Sequence, residues 1–113
     1  MTTWAVHFTV DALKEFQAFP ADLQACGLRI IDLLETAGPH QVREPYVKPV
    51  AGKLWEMRLK GKDGIARALY FAHVGRRLCV VRVFVKKTQK TPQVEIELAL
   101  RRMAEVLANA DSV

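Results

Sequence analysis

Between Lys48 and Lys90 the sequence is nearly without acids: only Glu56 and Asp63 stand against 12 lysines and arginines, a net +10. The flanks run the other way, with 5 basic and 10 acidic residues, so the formal +5 of the whole chain hides a cationic middle. Other shortages narrow the function class. There are two cysteines, Cys26 and Cys79, in no paired spacing, which argues against a cysteine zinc site or a disulfide framework and sets the expectation of a reducing cytoplasm. No apolar run approaches the roughly 20 residues needed to cross a bilayer, and the first residues lack the basic-then-apolar pattern of a secretory leader. With six glycines and five prolines there is no linker, repeat or low-complexity stretch. Nor is there a phosphate-cradling glycine loop, a Ser-His-Asp arrangement or a metal-ligand cluster, so neither metal nor cofactor is expected.

What is present is half apolar, enough for one globular domain over residues 1–113. Trp4, Val6 and Phe8 alternate with smaller or polar residues, the period of a half-buried strand. Thr9 is positioned to cap a helix to about Phe19 with Leu13 and Phe16 on one face. Pro20 then opens a second helix carrying Leu23, Cys26, Ile30 and Leu34, which stops at Gly38-Pro39. Gly27 inside it costs about 1 kcal/mol against Ala, and close packing is the reason to expect. A polar, proline-punctuated loop is expected from His40 to Gly52. Three strands follow, separated by turns at residues 61–64 and at Gly75, and the spacing suggests a meander of two hairpins. Thr91 reads as the cap of a last helix with Pro92 at its first position. The order βααβββα predicts an α+β domain, a twisted antiparallel sheet with helices covering one face.

Strand parity places chemistry on the opposite face. Glu56, Arg58 and Lys60 alternate with Trp55, Met57 and Leu59. Arg82, Phe84 and Lys86 alternate with Cys79, Val81, Val83 and Val85. Arg67 aligns with the cationic set unless a one-residue bulge intervenes. Such a face suits a polyanion, since Lys and Arg displace counterions condensed on phosphates. Arginine stabilises the extra charge of a five-coordinate phosphorus, whereas a lysine among cations has a lowered pKa and can move a proton; Lys86 and Lys87 are the candidates. Phe84 is the aromatic that could stack a base. His73 and Tyr70 are held in reserve as acid or base. The plainer readings are a simple binding surface for the basic face, a core position for Phe84, and Tyr70 packed under a helix.

Three pieces carry a family resemblance: Lys53-Leu54-Trp55-Glu56-Met57-Arg58, Arg67-Ala68-Leu69-Tyr70-Phe71, and Phe84-Val85-Lys86-Lys87-Thr88-Gln89-Lys90-Thr91-Pro92. Over about positions 45 to 105 the chain resembles the RelE/HigB-like toxins of type II toxin–antitoxin systems, in their phage-related branch. The resemblance implies a small RelE-like fold and a ribosome-dependent mRNA endonuclease, or mRNA interferase, that inhibits translation by metal-independent attack of a 2′-OH on the adjacent phosphate. By motif position it implies Arg58, Arg67 and Lys86 as catalytic, phosphate-handling residues, with Lys87 as a second lysine. Strand parity and the lysine-rich strand end add Lys60, Arg82, Phe84, Thr88 and Lys90 as the residues expected to contact RNA. It implies a cognate antitoxin with a helix-turn-helix DNA-binding domain, mRNA on the ribosome as the target, DNA met only through the antitoxin complex, and no membrane. The tail from Leu107 to Val113 has no tyrosine or histidine, so the C-terminal aromatic acid or base of some relatives is missing. The same fold includes ParE-like inhibitors of DNA gyrase, and a non-catalytic nucleic-acid-binding module is the third reading.

Overall fold

The computed structural model describes residues 3–62, 64–87 and 90–110. The elements run β1 (Ala5–Phe8), α1 (Val10–Gln17), α2 (Ala21–Ala37), β2 (Val47–Ala51), β3 (Leu54–Lys60), β4 (Ile65–His73), β5 (Arg77–Lys86) and α3 (Gln93–Ala110). The expected order is kept, with one strand added. β2 lies inside the segment expected to be loop, because its Val-Lys-Pro-Val-Ala sequence is held by pairing with β3 rather than by any alternation of its own. Its proline is tolerated on an edge strand.

The five strands form one sheet in the order β1-β5-β4-β3-β2. The β2–β3, β3–β4 and β4–β5 pairs are antiparallel, whereas β1 pairs with β5 in parallel. Helices cover both faces, not one. Ala12 and Phe16 of α1 and Leu23, Ile30 and Leu34 of α2 pack with Met57, Leu59, Ala66, Ala68, Tyr70, Leu78, Val80 and Val83. On the other side Ala99 of α3, with Ile96, Leu100 and Met103, packs on Leu54, Leu69, Phe71, Cys79, Val81 and Phe84. The second apolar layer escapes a reading by strand parity because it depends on where α3 returns.

A bulge explains the mixed membership of β5. Leu69 pairs with Arg82 but Tyr70 pairs with Val80, so Val81 is the extra residue. Cys79 and Val81 therefore face α3, together with Phe84, while Val83 and Val85 remain on the opposite side; the expected single row of Cys79, Val81, Val83 and Val85 is broken in the middle. The same shift keeps Arg82, Phe84 and Lys86 in phase with Leu69, Arg67 and Ile65. A bulge of this kind re-aims side chains without ending the ladder.

The local signals behave largely as their chemistry dictates. The Thr9 hydroxyl accepts from Ala12 N at 3.1 Å and caps α1, although Ala12, not Leu13, joins Phe16 in the core; Leu13 is 40% exposed. Gly38, at φ 87°, ends α2 in a conformation that favours glycine. A Cβ on Gly27 would lie 2.7 Å from Phe16 Cε1, so close packing of α2 on α1 accounts for that glycine.

Candidate nucleic-acid site

Arg58 on β3 stands directly opposite Arg67 on β4, which in turn stands opposite Phe84 on β5. One row further, Lys60, Ile65 and Lys86 align. Like charges placed opposite each other destabilise a sheet, so this juxtaposition needs a compensating partner. Glu56 supplies it. Its Oε2 lies 3.3 Å from Arg67 Nε and 4.0 Å from Arg58 Nε, and its Oε1 accepts the Thr91 hydroxyl at 2.5 Å. Thr91 thus serves the sheet instead of capping α3; Pro92 takes that end, its carbonyl accepting from Ile96 N at 3.2 Å. The motif spacing did not reveal this because the hydroxyl's partner lies 35 residues away.

Among the described residues, the buried charged side chains are Glu56, Arg67 and Lys86, all at this one place. Burying an ion costs several kcal/mol, about enough that such groups persist only when paired or used. Here two cations share one carboxylate, leaving positive charge uncompensated. Arg67 donates from Nη1 to its neighbour's carbonyl, Ala66 O, at 2.9 Å, while its Nε makes no well-aligned hydrogen bond despite the nearby carboxylate. Burial lowers the Arg67 pKa, Glu56 opposes that shift and Arg58 adds to it. Burial also lowers the Lys86 pKa, reinforced by Arg67, and Arg58 and Lys48 push the same way against Glu56. Arg58, with its side chain 31% exposed, forms the accessible lip of the cluster.

Several anticipated residues sit elsewhere. Arg82 shares the face, but its guanidinium donates to both oxygens of Glu95, at 2.7 and 3.1 Å, and to Glu15 at 2.6 Å. These hydrogen bonds raise its pKa. Phe84 is only 6% exposed, packed in the layer under α3 with Arg82 over its ring, and offers no surface to a base. Tyr70 is buried on the opposite face, where desolvation raises its pKa well above the ordinary phenol value. His73 lies six residues along β4 from Arg67, roughly 20 Å at the strand rise, and its Nδ1 accepts from Val74 N. Neither reserve candidate reaches the cluster. Lys60, Lys87 and Lys90 are exposed near it, and Thr88 lies outside the described residues.

Sequence reasoning passed over Glu56 and Lys48. Glu56 is one of only two acids in the cationic segment, and that rarity was the available signal. Lys48 is brought opposite Glu56 by β2, the strand not foreseen.

Comparison with known proteins places this geometry in context. The family model described as phage-derived protein Gp49-like matches residues 14–104. No curated protein is significantly similar to the sequence. The fold resembles a chain of the RelBE2 toxin–antitoxin complex from Mycobacterium tuberculosis, with TM-score 0.52, 18% identity, and coverage of 76% of this chain and 94% of the other. It also resembles a chain of the archaeal RelE–RelB complex from Pyrococcus horikoshii OT3, with TM-score 0.53, 21% identity, and coverage of 75% and 96%. The architecture is therefore RelE-like, as the motifs implied. No helix among the described residues is long and apolar enough to cross a membrane, and no group of three or more potential metal-ligating side chains is found among them.

Proposed function

The chain belongs to the phage-derived Gp49-like family, and on that footing we propose that it is the toxin of a toxin–antitoxin pair and cuts mRNA on the ribosome in the cytoplasm. The observation that carries this reading is the convergence of Arg58, Arg67 and Lys86, from three strands, around one buried carboxylate. Phosphodiester cleavage by a neighbouring 2′-OH needs stabilisation of added charge on phosphorus and a proton for the departing oxygen. Arg58 at the lip and Arg67 beneath it supply the first, since a guanidinium holds its charge and offers several donors. Lys86 supplies the second. Burial among cations makes its ammonium a stronger acid than an exposed lysine.

In the reaction the 2′-oxygen bonds to phosphorus as its proton passes to water. The bond from phosphorus to the 5′-oxygen breaks, Lys86 protonates that oxygen, and a 2′,3′-cyclic phosphate remains. Glu56 acts as a positioning residue: it holds Arg67 and is itself fixed by Thr91. The RelE-like neighbours come from toxin–antitoxin complexes, which supports a cognate antitoxin here, one carrying a helix-turn-helix DNA-binding domain and an acidic or apolar segment that covers the basic face. DNA would then be met only through that complex.

The test is primer extension on mRNA translated by purified ribosomes. Wild type is expected to produce discrete cleavage sites that disappear with Lys86→Ala and Arg67→Ala. Full-length mRNA with wild type, or identical cleavage by the variants, overturns the reading.

A further inference from the structure

The aromatic side chain expected to hold a base, Phe84, is buried; another aromatic stands beside the cluster. Tyr46 is 46% exposed and precedes β2, and its carbonyl accepts from Arg58 N at 2.8 Å, so the two residues are neighbours across the edge of β3. Both line a groove of about 1090 Å³ between α2 and that edge. β2 has ended by this point of β3: its pairing stops at Val47 with Met57, and the next N–H on that side, from Lys60, goes only to the Cys26 sulfur at 3.4 Å. A thiol is a weak acceptor, so the edge is lightly covered.

Arg29, Arg58, Lys60 and Arg67 line the groove against the single acid Asp32. Apolar area is exposed there too, on Leu28 at 56% and Leu33 at 38%. Charge complementarity thus favours an anionic occupant with a flat apolar part. Two of the four cations are also the phosphate-holding pair proposed above, so Tyr46 lines the same groove as the residues that would hold the phosphate.

We propose that this groove is a nucleobase subsite in which Tyr46 stacks the base adjacent to the phosphate held at Arg58 and Arg67. The proposal rests on the RNA reading of the cluster. Stacking on an aromatic tolerates any base, because every base has a π-face, while the surrounding cations follow the backbone. Tyr46 therefore adds affinity and fixes the register of the chain with little choice of sequence.

The test uses the full chain and a short single-stranded RNA with 2′-O-methyl groups throughout, which cannot be cut, carrying one 2-aminopurine. Stacking quenches that fluorophore. Binding of wild type is expected to quench it; Tyr46→Leu should abolish the quench and weaken affinity by about tenfold, the effect of about 1.4 kcal/mol of stacking. Tyr46→Phe should restore both. An abasic nucleotide at the same position should weaken wild type as much as Tyr46→Leu does and should weaken that variant no further. Unchanged quench and affinity in Tyr46→Leu overturn the proposal, as does full additivity of the two losses. If this RNA fails to bind wild type while an acidic amphipathic peptide binds in a Tyr46-dependent way, the groove is a protein site and the proposal falls. Failure of the cleavage reading looks different: natural RNA then stays intact with wild type while the Tyr46-dependent quench persists.

Discussion

Two arginine clusters lie on the same face of the sheet and differ in one respect, the number of carboxylates that reach them. At one end Arg58 and Arg67 share Glu56, and the buried Lys86 adds a third positive charge beside them. At the other, Arg82 and Arg102 meet two acids: Arg82 contacts Glu15 and Glu95, and Arg102 contacts Glu15 at 3.0 Å and Val81 O at 2.9 Å. Glu15 also accepts Val83 N at 3.0 Å, covering β5 where β1 no longer pairs with it. The second cluster is electrically balanced and ties α1, β5 and α3 together. The first keeps excess positive charge. A count of arginines on a face therefore does not locate an anion site; what matters is how many of them the fold has already neutralised.

The comparison can be broken most directly by adding a carboxylate to the open cluster. Ile65 lies opposite Lys86 and on the face of Arg67, so Ile65→Glu should cut the surplus positive charge there and reduce cleavage by about 10²-fold or more, the scale of losing one transition-state donor. Cleavage at the wild-type rate by a folded Ile65→Glu protein would mean that surplus charge is not what distinguishes the two ends. The reciprocal change is Glu15→Gln. It should lower stability by about 1–2 kcal/mol, a modest figure because the groups are partly solvated, through weaker bonds to Arg82, Arg102 and Val83 N. Denaturant unfolding measures that loss, and the cleavage rate should stay within roughly threefold, about 0.6 kcal/mol of barrier.

A pH profile sharpens the same contrast. With Lys86 protonating the leaving oxygen, the single-turnover rate should fall as pH rises past its depressed pKa. Part of that depression comes from Arg67, after the larger effect of burial. Arg67→Gln, though slower, should therefore move the downturn to higher pH, toward the ordinary lysine value. A downturn that stays in place would remove Lys86 from the proton-transfer role. The smallest effect is expected for Thr91→Val, which takes one hydrogen bond from Glu56 and should cost about 0.5–1.5 kcal/mol in stability. Its cleavage rate should fall only a few-fold, as fits a residue that acts through Glu56 and Arg67.

Much of the fold was legible because its signals are local. Thr9 before α1, Gly38 after α2 and the alternation of Trp55, Met57 and Leu59 each follow from the conformational preferences of a few adjacent residues. The cluster of Arg58, Arg67 and Lys86 was legible for the same reason, since strand parity fixes which side a residue takes once its register is known. β2 was not legible, because its five residues have no pattern without β3 beside them. Arg82 and Phe84 were misplaced because parity gives a side of the sheet but says nothing of what covers that side, and α3 covers one half of it.

The sequence by itself determined the order of every element but β2, the stops, and which cations point away from the α1–α2 core, all consequences of short-range sterics and periodicity. The tertiary structure alone decided the bulge at Val81, the burial of Phe84, and the assignment of Glu15, Glu56 and Glu95 to their arginines. Those pairings join residues on separate elements, and Coulomb energy depends on distance in space, which spacing along the chain does not encode.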